Sequence, residues 1–273
     1  MAHSISEAAE AILDKEYPVL DHGFVRLVDY CGNDDRIVQA ARISYGEGTK
    51  SYRQDKGLIN YLMRNDHSSP FEMVSFTFHV KMPIFVARQW VRHRTAKMNE
   101  ISGRYSIMAD EVYRPDREHI NKQSESNRQG REDAMVDDAL AKDVMDKFDA
   151  NHELIFKNYH DMLDNGIARE LSRIDLPLSM YTEMYWSMDL RNLFHFLKLR
   201  CDAHAQYEIQ EYANVILDIV DKVCPIATEA FKDNNLGATT FSLKESEAIK
   251  EMLKGNECPL KGRSKEIFEE KLK

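Results

Sequence analysis

The sequence predicts one α/β domain over residues 1–241 and a charged appendage over residues 242–273. Three observations carry that prediction. In residues 74–82, Val74, Phe76, Phe78, Val80 and Met82 alternate with Ser75, Thr77, His79 and Lys81, the period of a half-buried strand. In residues 209–223, Ile209, Tyr212, Ala213, Ile216, Val220 and Val223 form an apolar stripe at helical spacing. No internal repeat and no linker-like stretch divides the chain. With 43% hydrophobic residues in 273, the chain has the composition of a folded protein and the length to bury a core without disulfide or metal staples.

Taken in order, residues 6–16 read as a short helix capped by Ser4 or Ser6 and ended by Pro18. Phe24, Val25, Leu27 and Val28 mark a strand over 23–30. Helices follow over 34–44 and over 55–64, the second carrying Leu58, Ile59, Leu62 and Met63. Behind the alternating strand, Pro83 suits the first turn of a helix, where its missing N–H costs nothing, and 84–94 would be that helix. Residues 97–106 keep neither period and contain Gly103, so they read as a structured loop, a common carrier of function. Residues 116–149 are polar and charge-rich and read as a solvated, mobile excursion leading into a helix that reaches Leu163. The aromatic-rich stretch 181–199 reads as a buried helix ahead of the helix over 209–223. From Ser242 onward Lys and Glu mix densely, as in a peripheral helix or a partly disordered segment.

The formal net charge of −9, from 46 acidic and 37 basic side chains, speaks against a partner such as nucleic acid or an anionic membrane. Cys31, Cys201, Cys224 and Cys258 form no CxxC pair, the usage of a reduced, cytoplasmic compartment. No uncharged apolar run approaches the ~18 residues of a spanning helix, and the N-terminal stretch lacks the layout of a targeting peptide. Neither GxGxxG nor GxxxxGK[ST] occurs, so a nucleotide would not be held in the Rossmann or P-loop manner.

Against that acidic background, Arg88, Arg92, Arg94, Lys97 and Arg104 form a cationic island broken only by Glu100. On a continuous helix Arg88 and Arg92 would share a face, which is unfavourable unless an anion lies between them. Guanidinium forks suit phosphate and carboxylate oxygens, and Ser102-Gly103 lets backbone amides come close to a phosphate. The same residues also fit ion pairs with acidic groups of a neighbouring subunit. Other groupings say less. His67, Ser69, Pro70 and Glu72 fit a helix cap as well as a site. The pair His160-Asp161 is a dipeptide common by chance, and Asp202 and His204 face apart on a helix. Cys224, before Pro225, has no base nearby to make it a nucleophile. No metal site is expected.

The string 92–105, RHRTAKMNEISGRY, resembles the RHRxxSxNExSxRY signature of flavin-dependent thymidylate synthases. Blocks over 67–72, 76–89, 168–173, 176–182 and 197–208 are similar to that family in the same order, so the resemblance spans residues 20–232. Lys97 stands where the signature has Ser. The resemblance implies a mainly antiparallel central sheet flanked by helices, in a homotetramer whose active sites form between subunits. It implies a transferase of nucleotide biosynthesis, a methyltransferase that reductively methylates dUMP to dTMP. The carbon donor would be the folate 5,10-methylenetetrahydrofolate, and the reductant would be NADPH acting through bound FAD. A non-catalytic homologue that binds nucleotide and flavin is the alternative. The dUMP residues carried over are Gln89, Arg92, Glu100, Ile101, Ser102, Gly103, Arg104, Arg173 and Arg200, with Arg200 as the catalytic group that favours ionisation at uracil N3. The FAD residues are His67, Ser69, Glu72, Arg92, His93, Arg94, Asn99 and Glu100, joined by Asp189, Leu190, Arg191 and His195.

Overall fold

A computed structural model describes residues 5–43, 52–125 and 130–273. The chain divides into two compact units, Met1–Ala230 and Phe231–Lys273. The first holds a five-stranded sheet in the order β1-β2-β3-β7-β4, antiparallel at every pairing. Its strands are β1 (Glu16–Val19), β2 (Gly23–Cys31), β3 (Ser75–Pro83), β4 (Lys97–Glu100) and β7 (Tyr181–Asp189). A separate hairpin pairs β5 (Asn121–Gln123) with β6 (Arg131–Met135). The fold is the α/β class read from the sequence.

Alternation explains the sheet. Val25 and Leu27 of β2, Phe76, Phe78, Val80 and Met82 of β3, and Met184, Trp186 and Met188 of β7 are all buried. Register pairs Leu27 with Phe78 and Phe78 with Trp186, so these side chains share one face. The opposite face lines up Arg26, His79, Tyr185 and Asn99, with Lys97 beside Ser187. Against the apolar face lie α4 (Ile84–Trp90), α7 (Leu190–Arg200) and α8 (Tyr207–Val223). There Trp90 meets Trp186, Phe196 and Tyr212 at ring distances of 5.2, 4.9 and 5.8 Å. Near the start of the chain, Asn33 caps α2 (Asp34–Arg42), and the buried Asp34 carboxylate accepts the N–H groups of Ile226 and Ala227, each at 2.9 Å. Helix α3 spans Tyr52–Arg64, and Ser44, the end of the helix expected over 34–44, lies outside the described residues.

Several expectations are corrected. The helix over 6–16 shrinks to α1 (Glu7–Glu10). Asp14 takes a left-handed φ of 58°, which no helix interior holds, and the chain then extends into β1, with Pro18 tolerated in an edge strand. The helix over 84–94 stops at Trp90. Arg92 therefore leaves the helix, and its shared face with Arg88 does not exist. Residues 97–100 are a strand, where a loop over 97–106 was expected. Its exposed positions hide the alternation, because β4 is an edge strand paired only with β7. The stretch 181–199 is β7 followed by α7, and not one helix. Its strand half alternates Thr182, Met184, Trp186 and Met188 with Glu183, Tyr185, Ser187 and Asp189, but a polar Thr182 on the buried side and an aromatic Tyr185 on the open side blur the contrast. Within 116–149 the structure has the β5–β6 hairpin and the start of α5 (Asp138–Asp164), whose N-cap is Asp137.

The second unit contains α10 (Leu243–Leu253) and α11 (Arg263–Lys271). Ser242 and Glu245 form a capping box at the start of α10. Lys271 reaches both Glu245 oxygens, at 2.8 and 2.9 Å, and Phe241 packs edge-on against the fully buried Phe268.

Candidate active site

The predicted residues gather in three places. The first lies where α4, α7 and the start of α8 meet. Arg200, the last residue of α7, donates from Nε to His93 Nε2 at 3.1 Å and from Nη2 to the Gln89 carbonyl at 3.4 Å. His195, one turn earlier, faces His93 at 6.0 Å between rings, and Phe196 packs edge-on against His93 at 4.9 Å. Burial, then the Arg200 guanidinium, then His195 push the His93 imidazole down to about 4. His93 is therefore neutral near pH 7. Its Nε2 accepts from Arg200, so Nδ1 carries the proton. Burial also lowers Arg200 from the ordinary guanidinium value.

That buried imidazole has a measurable consequence. The unfolded chain takes up the His93 proton near pH 6.5 and the folded one only near 4, so His93 makes the fold lose stability as pH falls through that window. Asp34, pushed up to about 6 mainly by burial, has the opposite slope. The readout is thus a difference. A His93→Gln variant should show a flatter loss of urea midpoint between pH 7 and 5 than the parent, and equal slopes would contradict the assignment.

The second place follows β4. Thr182 Oγ1 donates to Glu100 Oε1 at 2.6 Å, and the Ile101 N–H bonds the Glu183 carbonyl at 2.9 Å, which fixes the start of the loop on β7. Ser102 Oγ accepts from the Arg104 N–H at 3.3 Å. Gly103 is buried against Arg173. A Cβ there would lie 3.0 Å from Arg173 Cδ and 3.2 Å from Met108 Sδ, so any larger residue would push these two side chains back by a few tenths of an ångström. Arg104 forms an open ion pair with Glu170 at 3.4 Å.

The third place is the far end of β7. His67 and Ser69 line a cleft of about 880 Å3 together with Arg36, Asp66 and Met73. Glu72, in the 3-10 turn Ser69–Met73, sits 3.6 Å from Arg191. Asp189 caps α7 through the Asn192 N–H at 2.9 Å. Leu190 is fully buried, with its N–H on the Val74 carbonyl, so within one chain it offers nothing to a ligand.

Thr182 beside Glu100 and Asp189 at the α7 cap are seven residues apart on β7, about 24 Å at 3.4 Å per residue. One chain thus holds its phosphate-type and cap-end residues at opposite ends of a strand. Arg88, Arg92, Arg94 and Arg173 are exposed and, among the described residues, make no side-chain hydrogen bond or ion pair. Lys97 is exposed on the open face of the sheet. His160 bonds Asp110 at 2.9 Å.

A family model described as thymidylate synthase complementing protein matches residues 26–226, and one described as the ThyX C-terminal domain matches 239–273. The flavin-dependent thymidylate synthase of Treponema denticola is 56% identical over 261 residues, covering 96% of this chain and 98% of that one. The chain belongs to the flavin-dependent thymidylate synthases. The family member from Treponema pallidum is 50% identical over 273 residues, covering 100% of this chain and 90% of its own. Among solved structures, the UMP/dUMP methylase PolB of Streptomyces cacaoi, bound with 5-Br dUMP, superposes with a TM-score of 0.73 at 33% identity, covering 81% of this chain and 99% of its own.

A flavin, the cofactor in the family's name, fits the donors present. Arg36 Nε is buried without a partner among the described residues and belongs to a residue lining the cleft beside His67 and Ser69. Arg92 and Arg94 add two unpaired guanidinium groups suited to a dinucleotide's phosphates. Sequence reasoning missed Gln206, which bonds Gln89, and behind it Glu208 with Arg131 and Tyr113. Glu208 reads in sequence as an ordinary acidic residue of a helix first turn, and only its burial distinguishes it.

Proposed function

We propose that this chain reductively methylates dUMP to dTMP, with methylenetetrahydrofolate as carbon donor and NADPH as reductant through bound FAD. The observation that carries the reading is the close seat of Gly103 on Arg173, between Ser102 and Arg104, within a family that includes a methylase solved with a dUMP analogue. Ser102, Gly103, Arg104 and Arg173 would hold the phosphate. Gln89, Arg92, Glu100 and Ile101 would line the rest of the nucleotide. Arg200 would face the uracil, where its charge, held by His93 and Gln89 and partly withdrawn from water, stabilises negative charge developing at N3 without giving up a proton. His67, Ser69, Glu72, Arg92, His93, Arg94, Asn99, Asp189, Arg191 and His195 would bind the FAD, with Leu190 beside them. When bound, the flavin and the folate supply the hydride and the one-carbon unit, while the protein positions the reacting carbon and excludes water.

A homotetramer with shared sites accounts for the separation along β7, because the cap-end residues of one chain would then serve the phosphate seat of another. Exposed Tyr105, Ile107, Ile174 and Leu178 around that seat are apolar surface suited to such burial. We assign catalysis to residues 1–241 and treat 242–273 as an appendage, in a cytoplasmic protein. Among the described residues no helix is long and apolar enough to cross a membrane.

An absorbance spectrum of the purified protein tests the reading. It should show flavin bands that shift on adding dUMP, and NADPH oxidation with dTMP formation should need both dUMP and the folate. No flavin binding even after adding FAD would overturn it. A non-catalytic homologue would bind flavin and nucleotide without consuming NADPH. That alternative is not favoured, since every signature position but Lys97 is kept. Arg104→Ala should weaken dUMP about 10- to 100-fold, because a phosphate would lose a charge-assisted partner. An unchanged dissociation constant would remove Arg104 from the phosphate seat.

A further inference from the structure

Glu208 is 3% exposed, yet it is a carboxylate at the start of α8. Arg131, from β6, donates to Oε1 at 2.7 Å and to Oε2 at 2.8 Å. The Tyr113 hydroxyl donates to Oε1 at 3.1 Å, and Gln206 Nε2 donates to Oε2 at 2.8 Å. Three donor groups, Arg131 Nη2, the Tyr113 hydroxyl and Gln206 Nε2, make four contacts with the two oxygens, so Glu208 is committed to its neighbours and not to a ligand.

Its influence travels through polarity. A carboxylate only accepts, so Gln206 must turn its NH2 toward Glu208 and its carbonyl oxygen away. That oxygen accepts from Gln89 Nε2. The Gln89 amide is thereby fixed in turn, with Oε1 unpartnered among the described residues, while its backbone carbonyl takes Arg200. Were the Gln206 amide free to flip, Gln89 would present an amino group in place of an acceptor.

We propose that Glu208 is a positioning residue for the nucleotide site, acting through Gln206 to make Gln89 present a carbonyl oxygen to a donor on the nucleotide. The inference rests on the dUMP reading above. Its ligand chemistry is an O–H or N–H donor, which the nucleotide has at the sugar hydroxyl and at the uracil N3–H. Arg131 and Tyr113 hold the carboxylate in place, so they belong to the same device.

The test uses the flavin-loaded protein and the dUMP dissociation constant, read by calorimetry. Gln206→Ala leaves the Arg131–Glu208 pair in place and removes an exposed side chain, so it keeps the fold even if Glu208→Gln does not. Both variants should bind dUMP about tenfold more weakly, while kcat at saturating dUMP stays within about twofold and the melting temperature of Gln206→Ala is unchanged. An unchanged dissociation constant in Gln206→Ala, or a loss confined to kcat, overturns the proposal. Analogues lacking the 3′-hydroxyl or methylated at N3 identify the donor. The one missing the recognised group should bind parent and Gln206→Ala alike, and an analogue pair that both keep the tenfold difference would refute the acceptor role. A parent protein that fails to bind dUMP at all would instead sink the functional reading.

Discussion

Arg200→Ala is expected to lower kcat about 10²- to 10³-fold, the range seen when one preorganised charge-stabilising donor is removed. The reason lies in how the guanidinium is held. Nε rests on a neutral His93 and Nη2 on the Gln89 carbonyl, so the positive charge sits in place before a ligand arrives and is poorly shielded by water. Alanine removes the charge and leaves His93 Nε2 without its donor. Arg200→Lys should recover little, because an ammonium cannot bond His93 and Gln89 from two nitrogens at once. Steady-state rates of NADPH-dependent dTMP formation, set against dUMP affinity from titration, provide the check. A kcat within threefold of the parent would exclude Arg200 from the chemistry.

Trp186→Ala should destabilise the first unit by about 3–5 kcal/mol, the usual cost of truncating a buried indole. Trp186 is fully buried midway along β7, with Phe78 at 6.0 Å, Trp90 at 5.2 Å and Phe196 at 5.0 Å. Among the described residues Trp186 Nε1 has no hydrogen-bond partner. Trp186→Phe should therefore cost much less than alanine, since it removes an unsatisfied N–H along with some volume. Urea unfolding followed by far-UV circular dichroism measures both variants, and equal midpoints for parent and alanine would contradict this account of the core.

What the sequence revealed depended on whether a face was buried on one side only. Residues 75–83 alternate cleanly because His79 and Lys81 look out while Phe78 and Val80 look in. Residues 181–189 obey the same rule, but the buried Thr182 and the exposed Tyr185 blur the contrast and the helix behind them continues the apolar run. Residues 97–100 carry no apolar face at all, so only their pairing with β7 makes them a strand. For the site, the cationic island and Gly103 were legible because charge and missing side chains are visible one residue at a time. The Glu208 cluster was not, since it joins positions 113, 131, 206 and 208 that only the fold brings together.

The strand order has a consequence for how such a chain tolerates change. β4 is four residues long, at a sheet edge, and pairs with β7 alone. Between Trp90 and Lys97 the chain runs through a turn that carries the buried His93, so length added there would pull the imidazole off Arg200. One residue added inside β4 would exchange Asn99 and Lys97 on one face for Met98 and Glu100 on the other, and would pull Glu100 off Thr182. Neither the turn nor the strand can therefore be lengthened without moving a residue of the site, and the segment's spacing is held by geometry even at positions, such as the exposed Lys97, whose side-chain identity is open to drift.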